Sequence, residues 1–425
     1  MPRRLDDAVL ADVDRRLRGA DEQLANQYPG DDGRRQPVHT VYIPGNRYTA
    51  RTPADWGSSA LAAAKDAGGL DAVASLIPAS AETGCDVETL ATLVENKLTT
   101  EPVEDLRIDF EDGYGNVDDA TEDADVAQAI AALRDALDAG TSTPFVGIRF
   151  KCFEAATRAR GLRTLDMFVS GLVDSGGLPD GFTLTLPKVT SVSQIEAMVA
   201  VASALEDANA LPPGRIRFEV QVETPQAILG ADGRAPVAQY IHAGQGRVSS
   251  LHFGTYDYSA SLGIAAAYQS MEHPAADHAK NIMQLAVAGT GVHMSDGSTN
   301  ILPVGDPDNV AMAWQLHARL VRRHLERGIY QGWDMHPAQL VTRYLATYAF
   351  YRDAFAPAAT RLRNYVHQLD STVMDEPATA RALANVIHRG SVCGALTADE
   401  IETATDLSIS TVRDIALGRT LRSNQ

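Results

Sequence analysis

Cysteine is scarce in this chain: Cys85, Cys152 and Cys393 are the only three in 425 residues, and none forms a CxxC pair. An odd, scattered set argues against a disulfide framework and against a zinc–thiolate centre. Lysine is scarce as well. Only five of the 37 basic residues are lysine, while Asp and Glu number 55, for a formal charge of −18. That balance argues against a polyanion binder and against an acidic membrane surface as partner. No run approaches 18 apolar residues, and residues 1–40 contain no apolar signal-peptide core, so the expected location is cytoplasmic. The 11 histidines include no HExxH and no close pair, which disfavours zinc, and there is neither a GxSxG elbow nor a P-loop.

Apolar residues make up 45% of the chain and charged residues 22%, a composition that suits a large soluble globular protein. Residues 1–36 read as a polar leader, with a helix over about 6–27 and then the linker PGDDGRRQP. Beyond it, short apolar runs alternate with helical patterns. The runs are HTVYIPG (39–45), LRIDFEDG (106–113), FVGIRFK (145–151), FTLTLPKV (182–189), RIRFEVQVE (215–223), VSSLHFGTYD (248–257), GVHMSDGS (291–298) and GWDMHPAQ (332–339). Eight strands alternating with helices predict an α/β fold, a closed (β/α)8 TIM barrel with an α-helical C-terminal extension. An open doubly wound sheet is the alternative, but it calls for a Gly-rich phosphate loop after the first strand, and none is present. The expected plan is a leader (1–36), a barrel (37–340) with a helical cap insertion at about 46–105, and a helical extension (341–425) broken near 370–377.

In such a barrel the C-terminal strand ends converge on one face, where chemistry is done. Here those ends carry Asp109, Glu111 and Asp112, then Arg149, Lys188, Gln221 and Glu223, then Asp257 and Asp296. Acids ending several neighbouring strands repel one another unless a cation lies between them. Mg²⁺ suits the place, because it takes one or two carboxylates, keeps waters and leaves room for substrate oxygens. Glu223 and Asp257 are 34 residues apart, one βα unit, which puts them on adjacent strands as candidate metal ligands.

The motifs IPGNR, DFEDG, LPKV, QVETPQAI, FGTYDYSA and GWDMHPAQ occur in an order and spacing that resembles the HpcH/HpaI aldolase and citrate lyase β-subunit-like family. Malyl-CoA lyases belong to that family, and malate synthases are more distant relatives. The resemblance covers about 39–380. It implies a Mg²⁺-dependent (or Mn²⁺-dependent) barrel that makes or breaks a carbon–carbon bond beside a carbonyl, through an enolate, on a short 2-oxo or 3-hydroxy acid or its CoA thioester. By motif, Glu223 and Asp257 match the metal ligands. Arg149 matches the arginine that binds the substrate carboxylate, and Asp109 and Glu111 match the acidic pair that braces it or holds metal-bound water. VMDEP (373–377) resembles the malyl-CoA lyase tail motif, which makes Asp375 the expected acid/base, contributed to a neighbouring subunit's site in a homo-oligomer. Gln221, Lys188 and Arg47 are the expected substrate contacts, with Arg47 standing in for the lysines that would grip CoA phosphates. DFEDG, where citrate-lyase-like chains carry DLEDA, leans toward malate synthases.

Alternatives stay open for several residues. Lys188 either touches substrate or pairs with the acidic ring, His336 packs or acts as a base, and Asp296 serves the site or a turn. At most one of Tyr256 and Tyr258 is expected to face the site. The segment 396–419 scans as a helix-turn-helix, but its five acids against two arginines suit phosphate contacts poorly, so no nucleic acid is expected. A barrel that binds an organic acid without turnover is the remaining reading.

Overall fold

Polar residues recur at every second position of these strands because the strands enclose a polar lumen. The computed structural model describes residues 4–77, 86–369 and 376–419. Eight parallel strands form one sheet: β1 (His39–Pro44), β2 (Asp105–Asp109), β3 (Phe145–Arg149), β4 (Leu184–Leu186), β5 (Phe218–Val222), β6 (Val248–Phe253), β7 (His293–Ser295) and β8 (Gly332–Asp334). Their order is β7-β6-β5-β4-β3-β2-β1-β8. The two ends meet through a parallel bridge between Ser295 and Gln331, where the Asp296 N–H also donates to the Gln331 carbonyl at 2.9 Å. The expected TIM barrel is present, and each of the eight runs contains a strand.

Helix α1 (Asp7–Gln27) precedes the barrel, and α2 (Thr52–Asp66), α3 (Leu70–Leu76) and α4 (Val87–Thr100) link β1 to β2. Single crossover helices follow β2, β3 and β4: α5 (Asp119–Asp138), α6 (Arg158–Asp174) and α7 (Val192–Ala208). Then come α8 (Pro225–Ile228) and α9 (Pro236–Ala243) before β6, and α10 (Thr255–Ser261) and α11 (Pro274–Val287) before β7. Last are α12 (Pro307–Glu326), α13 (Pro337–Val366), α14 (Pro377–Val392), α15 (Ala398–Thr405) and α16 (Ile409–Ala416). The three helices of the segment expected as a cap lie on the barrel's flank, with α2 and α4 against α13 and α3 against α4 and α12.

Outward-facing Val41, Ile43, Leu106, Ile108, Leu184, Val220, Val222 and Leu251 are buried under the helices, each such side chain contributing roughly 1.5–3 kcal/mol. The inward positions are polar. Arg107 pairs with Asp105 and donates to Glu219 at 2.7 Å and to Thr185 Oγ1 at 3.1 Å. Thr185 Oγ1 donates to Glu219 at 2.5 Å, and His252 Nε2 lies 3.2 Å from the same carboxylate. A second buried cluster centres on Asp334, which accepts from Arg343 at 2.8 Å and His317 at 3.0 Å, with His39 Nδ1 lying 2.9 Å away.

The PGDDGRRQP stretch, expected as a linker, is a strap across the N-terminal end of the barrel. The Gly30 N–H donates to Gly289 O (2.8 Å) and Gln36 Nε2 to Met294 O (3.1 Å), while Arg389 of α14 donates to Gln36 Oε1 (2.9 Å). The tail turns back on its own chain. After 30 residues of α13, α14 packs against α13, and Ala359, Leu362, Ala384, Ile387, Ile401, Val412 and Ile415 form a small separate core. The suspected helix-turn-helix, α15 and α16, spends its apolar residues on that core. Asp375 lies outside the described residues. Among the described residues no helix is long and apolar enough to cross a membrane.

Two outcomes follow from these clusters. Arg107→Met leaves Asp105 and Glu219 buried without their cation, so urea unfolding is expected to register a loss of about 3–5 kcal/mol. Adding Glu219→Gln should recover part of it, and additive losses would disprove the coupling. His324 is held neutral, its pKa pushed down to about 3 by burial and by the Arg343 guanidinium that donates to its Nε2 at 2.8 Å. A histidine depressed in the fold contributes stability that is present above its unfolded pKa and lost as pH falls toward the folded value. The melting temperature should therefore drop from about pH 6.5 downward, and less steeply in His324→Gln.

Candidate active site

Asp109, the last residue of β2, is fully buried and does two things. It accepts from Arg149 Nε and Nη2, both at 2.7 Å, as a bidentate pair, and from the backbone N–H groups of Glu111 (3.0 Å) and Gly113 (2.9 Å). Gly113 is required there, since a Cβ would stand 2.5 Å from Asp109 Oδ2. One carboxylate thus fixes both the neighbouring arginine and the loop carrying Glu111. Burial works against the Arg149 charge, but Asp109 and Glu111 hold the guanidinium well above its ordinary pKa. Its faces are covered by aromatic rings, with Tyr42 at 4.6 Å and Trp333 at 5.9 Å, and Nη1 reaches Gln221 Oε1 at 3.4 Å and Glu111 Oε2 at 3.5 Å. Such a guanidinium is a fixed charge with few ways to move.

Lys188 follows β4 in a left-handed backbone conformation (φ 51°), unusual for a residue with a side chain. This turn lets one residue face two ways. Its backbone N–H donates to Glu223 Oε1 at 2.8 Å, while its ammonium donates to Glu111 Oε1 and Asp112 Oδ2 at 2.5 Å each and lies 4.0 Å from Asp257 Oδ2. Burial opposes the charge, yet Glu223 and Glu111 raise the Lys188 pKa.

Glu223, immediately after β5, is buried, and its pKa is pushed up to about 8 by that burial, with the Asp257 charge adding to the effect and Lys188 and Arg149 opposing it. Gly254 makes room for it: a Cβ there would meet Glu223 Cβ at 2.5 Å and Oε2 at 2.7 Å. Asp257 departs from expectation. β6 ends at Phe253, and Asp257 sits half exposed in the first turn of α10 rather than on the strand. It remains beside Glu223 because β5 and β6 are paired neighbours.

The expected residues Asp109, Glu111, Arg149, Lys188, Gln221, Glu223 and Asp257 therefore meet at the C-terminal mouth. Arg47 stands apart on the exposed 3-10 turn Gly45–Arg47 after β1, with no hydrogen bond or ion pair among the described residues. Asp296 is a structural partner, receiving buried Lys280 Nζ at 2.9 Å. His336 caps α13, its Nδ1 accepting from the Ala338 N–H at 3.2 Å. Tyr258 packs on Phe253, and the Tyr256 hydroxyl accepts from the Asn300 N–H at 2.6 Å. The sequence places Asp112 at a strand end without assigning it a role, and sequence reasoning missed Tyr42, Trp333 and Gly254. Period-2 placement puts Tyr42 and Trp333 in the lumen, but nothing in the sequence pairs them with Arg149.

The charges at the mouth do not balance. Asp109, Glu111, Asp112, Glu223 and Asp257 are five carboxylates against two cations, Arg149 and Lys188. All the donors are oxygen, the kind a hard divalent ion takes. Among the described residues no group of three or more His, Cys, Asp or Glu side chains is arranged to hold a metal ion. An ion here would rest on one or two carboxylates and otherwise on water or substrate, not in a closed protein cage.

Several solved structures share a likeness of fold at low identity. Haloferax volcanii malate synthase in its magnesium/glyoxylate complex is 13% identical over 90% of this chain and 98% of that chain, with a TM-score of 0.48. Its native form is 14% identical over 85% and 99%, at 0.49. An HpcH/HpaI aldolase/citrate lyase family protein from Burkholderia cenocepacia is 16% identical over 76% and 95%, at 0.41. At such levels the roles of residues rest on this chain's own geometry. No curated protein matches the sequence. Residues 17–420 match a family described as a domain of unknown function, DUF6986, and the chain belongs to that family.

Proposed function

We propose that the protein is a metal-dependent carbon–carbon lyase of the aldolase and citrate lyase kind, acting through an enolate on a short 2-oxo or 3-hydroxy acid or its CoA thioester. One observation carries the reading: Arg149, buried, stacked and doubly bonded to Asp109, stands beside strand-end carboxylates that outnumber the local cations. A buried guanidinium in that setting suits a carboxylate substrate, which can take the N–H donors of Nη1 and Nη2 that Asp109 leaves free. Glu223 and Asp257 would hold Mg²⁺ or Mn²⁺, which when bound supplies a Lewis acid at the substrate carbonyl. Arg149 binds and orients the acid and offsets negative charge developing beside it. Asp109 keeps Arg149 in place, Glu111 with Lys188 lines the approach, and Gln221 stands beside the third guanidinium nitrogen, Nη1. Arg47, exposed near the mouth, is available to a CoA phosphate. Asp375 would supply the acid/base, completing a neighbouring copy's site in a homo-oligomer.

The DFEDG motif supports a second reading, in which the same groups run a malate synthase-like condensation. A third is a barrel that binds an organic acid without turnover. Purified protein with Mg²⁺ or Mn²⁺ should release pyruvate, glyoxylate or acetyl-CoA from some member of a panel of hydroxy acids and hydroxyacyl-CoAs. Condensation from glyoxylate and acetyl-CoA with no cleavage activity would favour the second reading, and inactivity in both directions the third.

Two variants probe the site directly. Gly254→Ala drives a methyl group against Glu223, so calorimetry should show weakened Mg²⁺ binding with the circular dichroism spectrum unchanged; full-strength binding would remove Glu223 from the ligand set. Arg149→Lys keeps the charge but loses the fork, and turnover should fall by about 10²–10³-fold. Near-normal turnover would show that Arg149 does not hold substrate.

A further inference from the structure

The inward face of β5 is a ladder whose rungs run from the floor of the barrel to its mouth: Arg217, Glu219, Gln221, Glu223. The upper three are all engaged, Glu219 by Arg107 and Thr185, Gln221 by Arg149, and Glu223 by the Lys188 N–H. Arg217 is different. Its Nε is buried, and among the described residues its side chain makes no hydrogen bond or ion pair. Beside it is a cavity of about 170 Å³ at the strand starts, lined also by Arg34, Arg215, Ser249, Ser250 and His293. Ser249 Oγ is likewise buried without a partner.

The cavity's charges are unequal once internal pairs are removed. Of its acids, Asp105 and Glu219 are both claimed by Arg107, and Arg35 is claimed by Glu101 and Glu104. The remaining acid in the lining is Asp180, against Arg34, Arg215 and Arg217; Arg34 is paired with Asp32, and Arg215 Nη2 donates to the Leu178 and Pro179 carbonyls at 2.9 and 2.6 Å. The remaining positive charge is unexpected in a chain of net charge −18. His293 responds to its surroundings: burial, with the Arg389 and Arg34 charges, pushes its pKa down to about 4. A partly desolvated guanidinium without a partner is unfavourable, and its planar fork matches two oxygens of a carboxylate or phosphate.

We propose that the floor of the barrel is a second binding site, in which Arg217, with Arg215 and Ser249, holds a small carboxylate or phosphate anion. The site lies at the opposite end of the barrel from the proposed active site and does not depend on the reading of that site. The N-terminal face of such barrels serves stability rather than chemistry, so an anion here acts as a structural or regulatory ligand. Binding to the folded state alone raises the melting temperature by mass action.

The test measures binding of inorganic phosphate and, separately, malonate to the full chain by calorimetry and thermal shift, at constant ionic strength with chloride as counter-ion. Phosphate binding without malonate binding would identify a phosphate site, and the reverse a carboxylate site. Arg217→Ala should weaken whichever anion binds at least about tenfold, as expected for one charge-assisted contact. Arg217→Lys, the milder change, should weaken it less. Arg149→Met separates the two ends of the barrel, because binding on the floor survives it and binding at the mouth does not. No binding of either anion to the wild type, binding unaltered by both Arg217 variants, or binding abolished by Arg149→Met would overturn the proposal.

Discussion

A guanidinium at the centre of a parallel barrel can stay there only with carboxylates on both sides, and Arg107 holds that position. Asp105 lies two residues away on its own strand, and Glu219 reaches it from β5, across β3 and β4. Removing the guanidinium's hydration is costly, and only close, well-bonded partners offset it. The middle layer of the lumen is therefore a polar crosslink rather than the branched aliphatic packing usual in such barrels. It ties β2 to β5 and so sets the spacing of the strand ends above it, where Asp109 and Glu223 stand.

The same rule operates less completely at the mouth. Asp109 and Arg149 neutralise one another, but Glu111, Asp112, Glu223 and Asp257 share the single ammonium of Lys188. The fold answers by raising Glu223 toward the neutral form and by placing Lys188 in a left-handed turn from which it meets acids on three strand ends. Strain of this kind persists only where surrounding contacts enforce it, and it gathers at functional sites. Below the lumen layer the excess has the opposite sign, with Arg217 unpaired.

The eight strands were legible because alternation is a local property, and a lumen lined with Thr40, Arg107, Glu219 and His252 writes it plainly into the sequence. The strand-end acids were legible for the same reason. Asp257 was misplaced by a few residues because Gly254 ends β6 early and the apolar pattern runs on into α10. The stacking of Tyr42 and Trp333 on Arg149 joins β1, β8 and β3, and no spacing in one sequence encodes such an encounter. The strap was misread as a linker because Gly, Pro and charge mark irregular backbone, and irregular backbone can be firmly bonded. Its partners lie hundreds of residues downstream.

That distance has a kinetic meaning. Gln36 meets Arg389 across 353 residues of chain, and Arg419 reaches the carbonyl of Asp32 across 387. Contacts so remote in sequence close late, because the intervening chain must be ordered before they can form. On a ribosome, where N-terminal segments emerge first, these two contacts must wait until Arg389 and Arg419 have been made, whereas the strap's bonds to Gly289 and Met294 need less of the chain. The floor of the barrel is thus closed in two stages, its fastening to the tail coming after its fastening to β7.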